Sequence, residues 1–131
     1  MTWLIAVGSG RWQLHGIQKA LAEGFQVFAL DGDKDVLGFS LATRHEIVDI
    51  RDCEAVVECV RRSGIEPNGA VSLCSEVGML GAAAIRSEFN LPGPGLEVTV
   101  RLIDKALQRD AWEKVGLPNP KWQVIDSEET A

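Results

Sequence analysis

Histidine and cysteine are scarce in this chain. Its 131 residues hold two histidines, His15 and His45, and three cysteines, Cys53, Cys59 and Cys74. No C-x-x-C pair occurs and neither histidine is spaced with a cysteine as zinc ligands are, which excludes the usual zinc-binding patterns. An odd number of unpaired thiols reads as free, mostly packed cysteines in a reducing compartment. A basic excess is also lacking. Thirteen lysines and arginines face nineteen acids, for a net charge of -6, which argues against nucleic acid and anionic membranes as partners. It leaves room for a metal-bound nucleotide at a local basic site. No apolar run approaches a membrane span. The opening MTWLIAVGSG has no basic leader and runs into a glycine turn, so it does not read as a signal peptide. There is no internal repeat and no low-complexity tract. The expected location is the cytoplasm.

What is present is ordinary globular material: 46% hydrophobic and 24% charged residues, enough for one domain with a real core. Short apolar runs alternate with helical periodicity. Strands are expected at 3–7, 25–30, 46–50 and 69–73. Between them, Leu14, Ile17 and Leu21 repeat at helical spacing and Gly24 closes that helix; Asp52 caps a second helix over 53–62, which ends at Ser63-Gly64. Ser75 is expected to cap a third over 76–88, with Leu80, Ala83, Ala84 and Phe89 inward. Strand–helix alternation implies a three-layer α/β/α fold around a short, mainly parallel Rossmann-like sheet in the order 3-2-1-4.

Two places in that fold invite a ligand. Gly8-Ser9-Gly10 follows the first strand and opens a helix, which makes Gly8, Ser9, Gly10, Arg11 and Gln13 candidate substrate contacts. The same residues also suit a plain strand-to-helix turn. Asp31, at the end of the second strand, stands where a dinucleotide fold places its ribose-binding acid, but the third glycine of G-x-G-x-x-G is replaced by Gln13. At the end of the fourth strand, Ser75 and Glu76 are either good helix-start chemistry or a substrate-binding pair at the switch point of the sheet. Cys74 reads as a small buried residue, and the tryptophans at 3, 12, 112 and 122 read as packing.

The stretch from 91 to 120 organises the rest. Pro92, Pro94 and Gly95 mark a turn. Helices follow at about 97–103 and 105–115, the second capped by Asp104 and stopped by Gly116, Pro118 and Pro120. Lys105 thus falls in a helix's first turn, where the dipole disfavours a cation. It is either a solvated lysine or one aimed at a phosphate.

Leu91-Pro92-Gly93-Pro94, Asp104-Lys105, Arg109 and Gly116-Leu117-Pro118-Asn119-Pro120, in this order and spacing, resemble the entry into an ATP-grasp domain. The residues before them are similar to the pre-ATP-grasp domain, the N-terminal domain of biotin carboxylase. The resemblance covers about residues 4–125 and divides the chain into a pre-ATP-grasp domain (1–95), a helical linker (96–120) and the first strand of an ATP-grasp domain (121–131), with a strand at 121–125. It implies a carboxylate–amine or carboxylase-type ligase that works through an acyl phosphate, with ATP and Mg2+ as cofactors. Lys105 would contact ATP phosphate. Gly8, Ser9, Gly10, Arg11, Gln13, Ser75 and Glu76 would face the small carboxylate and amine substrates. The remaining ATP and magnesium contacts of the family would lie in the rest of an ATP-grasp domain, and none of the residues here is expected to bind metal. The isolated chain is therefore expected to be inactive, to need that domain as its partner, and possible dimer formation follows from the relatives. The polar end at 126–131 reads as a chain cut short. Two other readings stand beside this one: a Rossmann-like NAD(P)-binding domain and a stand-alone small-ligand module.

Overall fold

Every other residue of β1 (Trp3–Val7) points to one face of the sheet, and both faces of this strand are covered. The computed structural model describes residues 1–126 and divides into two units, Met1–Leu96 and a second beginning at Glu97. In the first unit β1 lies between β2 (Gln26–Asp31) and β4 (Pro67–Val71), with β3 (Arg44–Ile47) outside β2. All pairings are parallel and the order is 3-2-1-4. This is the expected α/β fold class.

The helices sort to the two faces. Ile5, Val7, Phe28, Leu30 and Ala70 pack against α2 (Cys53–Ser63) and α3 (Met79–Glu88) through Val56, Val60, Ala82 and Ile85. Ala6 and Val27, on the opposite face, meet Ile17 and Ala20 of α1 (Leu14–Ala22). Each fully buried large apolar side chain contributes roughly 1.5–3 kcal/mol, so the larger cluster carries most of the unit's stability. β3 is exposed along its whole length, and Arg44 and Glu46 keep that edge charged, which discourages pairing with another chain.

Helix ends follow their sequence signals. Asp52 accepts the Ala55 N–H at 3.0 Å, and Gly64 takes the left-handed conformation after α2. After α1, Gly24 N–H reaches the Leu21 carbonyl and Phe25 N–H the Ala20 carbonyl, a Schellman closure.

Several expected boundaries moved. β4 lies two residues earlier than the apolar run suggested, and β3 starts two and ends three residues earlier; beyond β4 the Leu73 carbonyl meets the Gln13 side chain. α3 begins at Met79 instead of Glu76, with Gly78 as its unassisted N-cap. The reason is close packing: a Cβ on Gly78 would lie 2.6 Å from the Val7 carbonyl oxygen, so the chain meets the sheet before it can begin to coil. The inner stripe of α3 is Gly81, Ala82, Ala83, Ala84 and Ile85, with Leu80 only half-buried.

In the second unit, α4 (Leu96–Ile103) leads to α5 (Lys105–Lys114). Asp104 caps α5, accepting the Leu107 N–H at 3.0 Å. Gly116 and Leu117 close it with bonds to the Glu113 and Trp112 carbonyls. Asn119 then folds back: its side chain accepts from Arg109 Nη1 at 3.1 Å and donates to the Arg109 carbonyl at 3.0 Å. The expected strand at 121–125 is not formed, since a strand needs a neighbour to pair with; Trp122 instead donates its indole N–H to Glu113. Residues 127–131 of the expected third segment lie outside the described residues.

Candidate functional site at the carboxyl ends of the strands

The glycine turn is built to pass close to its neighbours. Gly8, at φ +94°, donates its N–H to the Leu30 carbonyl at 2.8 Å. Ser9 is fully buried; its N–H goes to Asp31 Oδ2 at 2.7 Å and its carbonyl accepts the Gly38 N–H. Asp31 also accepts the Asp33 N–H on Oδ1. Each of its oxygens thus holds one backbone N–H. The short helical turn Arg11–Gln13 comes next. Gln13, only 7% exposed, donates Nε2–H to the Leu73 carbonyl at 2.7 Å and so binds the start of α1 to the end of β4. Gly16 continues that seam, since a Cβ there would meet Leu73 Cδ1 at 2.1 Å. This is where the close helix approach of the missing third glycine is found.

Across the seam, Ser72 Oγ donates to the Ser75 carbonyl at 3.0 Å and Glu76 accepts the Met79 N–H on its carbonyl. Ser75 is half-buried and Glu76 is exposed. Cys74, expected inside, is exposed and adopts a left-handed backbone with φ 55°. Trp12, expected to pack, is 78% exposed. Of the seven residues expected on the substrate side, Ser9 and Gln13 serve the scaffold with their polar groups, Arg11 and Glu76 are exposed, and Ser75 is half-buried.

Sequence reasoning missed a cleft beside the turn. Asp31, Gly32, Asp49, Ile50, Arg51 and Val77 line an open cavity of about 520 Å³, and Ile50 Cδ1 lies 3.8 Å from where a Cβ of Gly8 would stand. Arg51 grips Asp49 with two bonds of 2.9 Å, and this guanidinium holds the Asp49 carboxyl down to a pKa of about 2. The signal was an Asp-x-Arg pair after an apolar run, too common to single out.

In the second unit Lys105 sits in the first turn of α5, which carries no acid there. The Asp104 carboxylate is occupied as the cap. The first turn of a helix carries the positive end of the helix dipole. Among the described residues no group of three or more His, Cys, Asp or Glu could hold a metal ion. No helix among them is long and apolar enough to cross a membrane.

No family model and no curated protein matches this sequence. Solved structures do match it. Phosphoribosylglycinamide synthetase from Anaerococcus prevotii superposes with a TM-score of 0.83 at 24% identity over 98% of this chain and 33% of its own. N5-carboxyaminoimidazole ribonucleotide synthetase from Thermotoga maritima gives 0.78 at 18% identity over 99% of this chain and 35% of its own. L-amino acid ligase from Bacillus licheniformis gives 0.78 at 20% identity over 92% and 32%. The chain thus spans about a third of the length of these proteins. It has the fold of the N-terminal domain of this group of ATP-grasp enzymes.

Proposed function

We propose that this chain is the substrate-side N-terminal domain of an ATP-grasp carboxylate–amine, or carboxylase-type, ligase. The observation that carries the proposal is the fold likeness to three synthetases and ligases over 92% or more of the chain. The Asp104–Lys105 pair at the start of α5 supports it. In the proposed reaction ATP supplies a phosphoryl group that converts a carboxylate into an acyl phosphate; the amine then attacks the acyl carbon and phosphate leaves. Lys105 would contribute positive charge beside the phosphates, an effect strongest where water is excluded. The glycine turn and the 74–76 loop would hold the acceptor substrates, with Arg11 suited to an acid group and Glu76 to an amine. Magnesium would be held by residues outside this chain, and the chain alone would not turn over.

The dinucleotide reading is disfavoured by Gln13, which stands where the third glycine of its fingerprint would be. The test is a phosphate-release screen of the intact native polypeptide against carboxylates and amines with Mg-ATP. Its counterpart carries Lys105→Ala. Substrate-dependent release that falls at least about tenfold in the variant supports the proposal; saturable NAD(P)H binding with no ATP-dependent release would overturn it.

A further inference from the structure

The cleft beside the glycine turn gathers charges of both signs around an apolar surface. Asp31, Gly32, Asp49, Ile50, Arg51 and Val77 line it, and its volume of about 520 Å³ suits a small ligand. Backbone joins its walls: Val48 N–H donates to the Asp31 carbonyl at 2.9 Å, and a Cβ on Gly32 would stand 3.8 Å from Asp49 Cα. The cleft also adjoins the turn itself, since Ile50 Cδ1 lies 3.8 Å from where a Cβ of Gly8 would be.

Opposite charges on this surface are held in place. Asp31 Oδ2 accepts the Ser9 N–H at 2.7 Å and Oδ1 the Asp33 N–H at 3.0 Å. A carboxylate oxygen accepts more than one hydrogen bond, so the acid keeps capacity for a ligand. Arg51 meets Asp49 side-on: Nε donates to Oδ1 and Nη2 to Oδ2, both at 2.9 Å. A planar guanidinium paired along that edge turns its terminal Nη1–Nη2 edge away from the partner. That second edge matches a carboxylate with two parallel bonds. Fixing both groups before binding lowers the entropic cost of capture. Charge balance then chooses among anions. Two carboxylates against one guanidinium repel a phosphate dianion and favour a ligand that brings a cation of its own. Ile50 and Val77 add an aliphatic surface, with Val77 54% exposed.

We propose that this cleft is a subsite for a free aliphatic α-amino acid, with its carboxylate on Arg51, its ammonium on Asp31 and its side chain over Ile50 and Val77. The subsite rests on the ligase reading only in that it names the class of acceptor substrate for that reaction. The test uses the whole 131-residue chain with three probes: L-leucine, 4-methylpentanoate, which lacks the ammonium, and 3-methylbutylamine, which lacks the carboxylate. The Ile50 δ1-methyl resonance is assigned from the Ile50→Val variant and followed by nuclear magnetic resonance. Leucine is expected to move it along a saturable curve, and the other two probes to require at least about tenfold higher concentration. Arg51→Gln should weaken leucine about tenfold without weakening 3-methylbutylamine. Asp31→Asn should weaken leucine to a similar degree; if that variant fails to fold, the ammonium-free probe reads the same interaction. A methyl resonance unmoved by leucine up to about 50 mM, one moved alike by all three probes, or tighter binding of inorganic phosphate than of leucine overturns the subsite. Phosphate release from ATP is a separate readout. Leucine selectivity in a protein without ATP-dependent activity would keep the subsite and sink the ligase reading, and ATP-dependent release in a protein whose cleft ignores leucine would do the reverse.

Discussion

Gln13 donates its side-chain N–H to the Leu73 carbonyl at 2.7 Å, across sixty residues of sequence. That bond joins the helix after the glycine turn to the loop after β4.

Gln13→Leu should keep the volume and orphan that carbonyl. Leaving a part-buried acceptor unpaired costs about 1–3 kcal/mol. Urea denaturation should show a lower midpoint with an unchanged slope. An unaltered midpoint would mean that water or a neighbouring group replaces the amide.

Gly78 and Gly24 offer a paired test of why glycine is needed. A Cβ at Gly78 would stand 2.6 Å from the Val7 carbonyl oxygen, which backbone cannot relieve cheaply. At Gly24 nothing lies within 4 Å, but φ is +86°. Gly24→Ala should therefore cost about 1 kcal/mol from backbone strain alone. Gly78→Ala should cost more, about 1–3 kcal/mol from overpacking and a displaced α3. Thermal unfolding of both variants would rank them, and the reverse order would contradict the packing argument.

The Asp49 carboxyl, held near pKa 2 mainly by its hydrogen bonds with Arg51, is the acid-sensitive part of the cleft. Its folded pKa lies below the usual unfolded value of about 3.9. The stability it contributes is thus fully present above that unfolded value and is lost as pH falls through the folded one. The pair is exposed, so the effect on global stability should be small. Carbon-detected titration of the Asp49 carboxyl should give a midpoint near 2 in the native chain and one close to 4 in Arg51→Gln.

The three thiols should separate by reactivity. Cys74 is exposed, Cys53 half-buried and Cys59 buried. Burial is the first cause raising the Cys53 and Cys59 thiols above their ordinary value, which lowers their thiolate fraction at neutral pH. With a maleimide at pH 7, Cys74 should label first and Cys59 only on unfolding. Mass spectrometry of timed digests would show the order; early labelling of Cys59 would mean that the α2 face opens readily.

Arg86 binds the exit of the first unit. Its guanidinium donates to the Ala70 carbonyl at 2.8 Å and to the Pro94 carbonyl at 2.9 Å, tying β4 to the proline turn. Gly93, at φ +122°, lies against it, with its hypothetical Cβ 2.9 Å from Arg86 Cδ. Arg86→Met should free the turn. Protease cleavage between Leu91 and Gly95 should quicken, with a smaller loss of global stability, about 1–2 kcal/mol. Equal protection in the variant would show that the prolines alone hold the turn.

Sequence by itself determined what depends on short range. The caps at Asp52 and Asp104, the left-handed glycines at 24, 64 and 116, and the strand–helix alternation that dictates a parallel sheet all act within a few residues of chain. Sequence likewise singled out the glycine turn, the loop at 74–76 and Lys105. Tertiary structure decided which of those polar groups are available. Ser9 and Gln13 look like ligand residues in sequence, yet their polar groups meet partners that only folding brings near. Trp12 and Cys74 look like packing, yet the turns that hold them face them outward. A carbonyl sixty residues away leaves no local pattern, so the difference between a scaffold amide and a free one is written only in three dimensions.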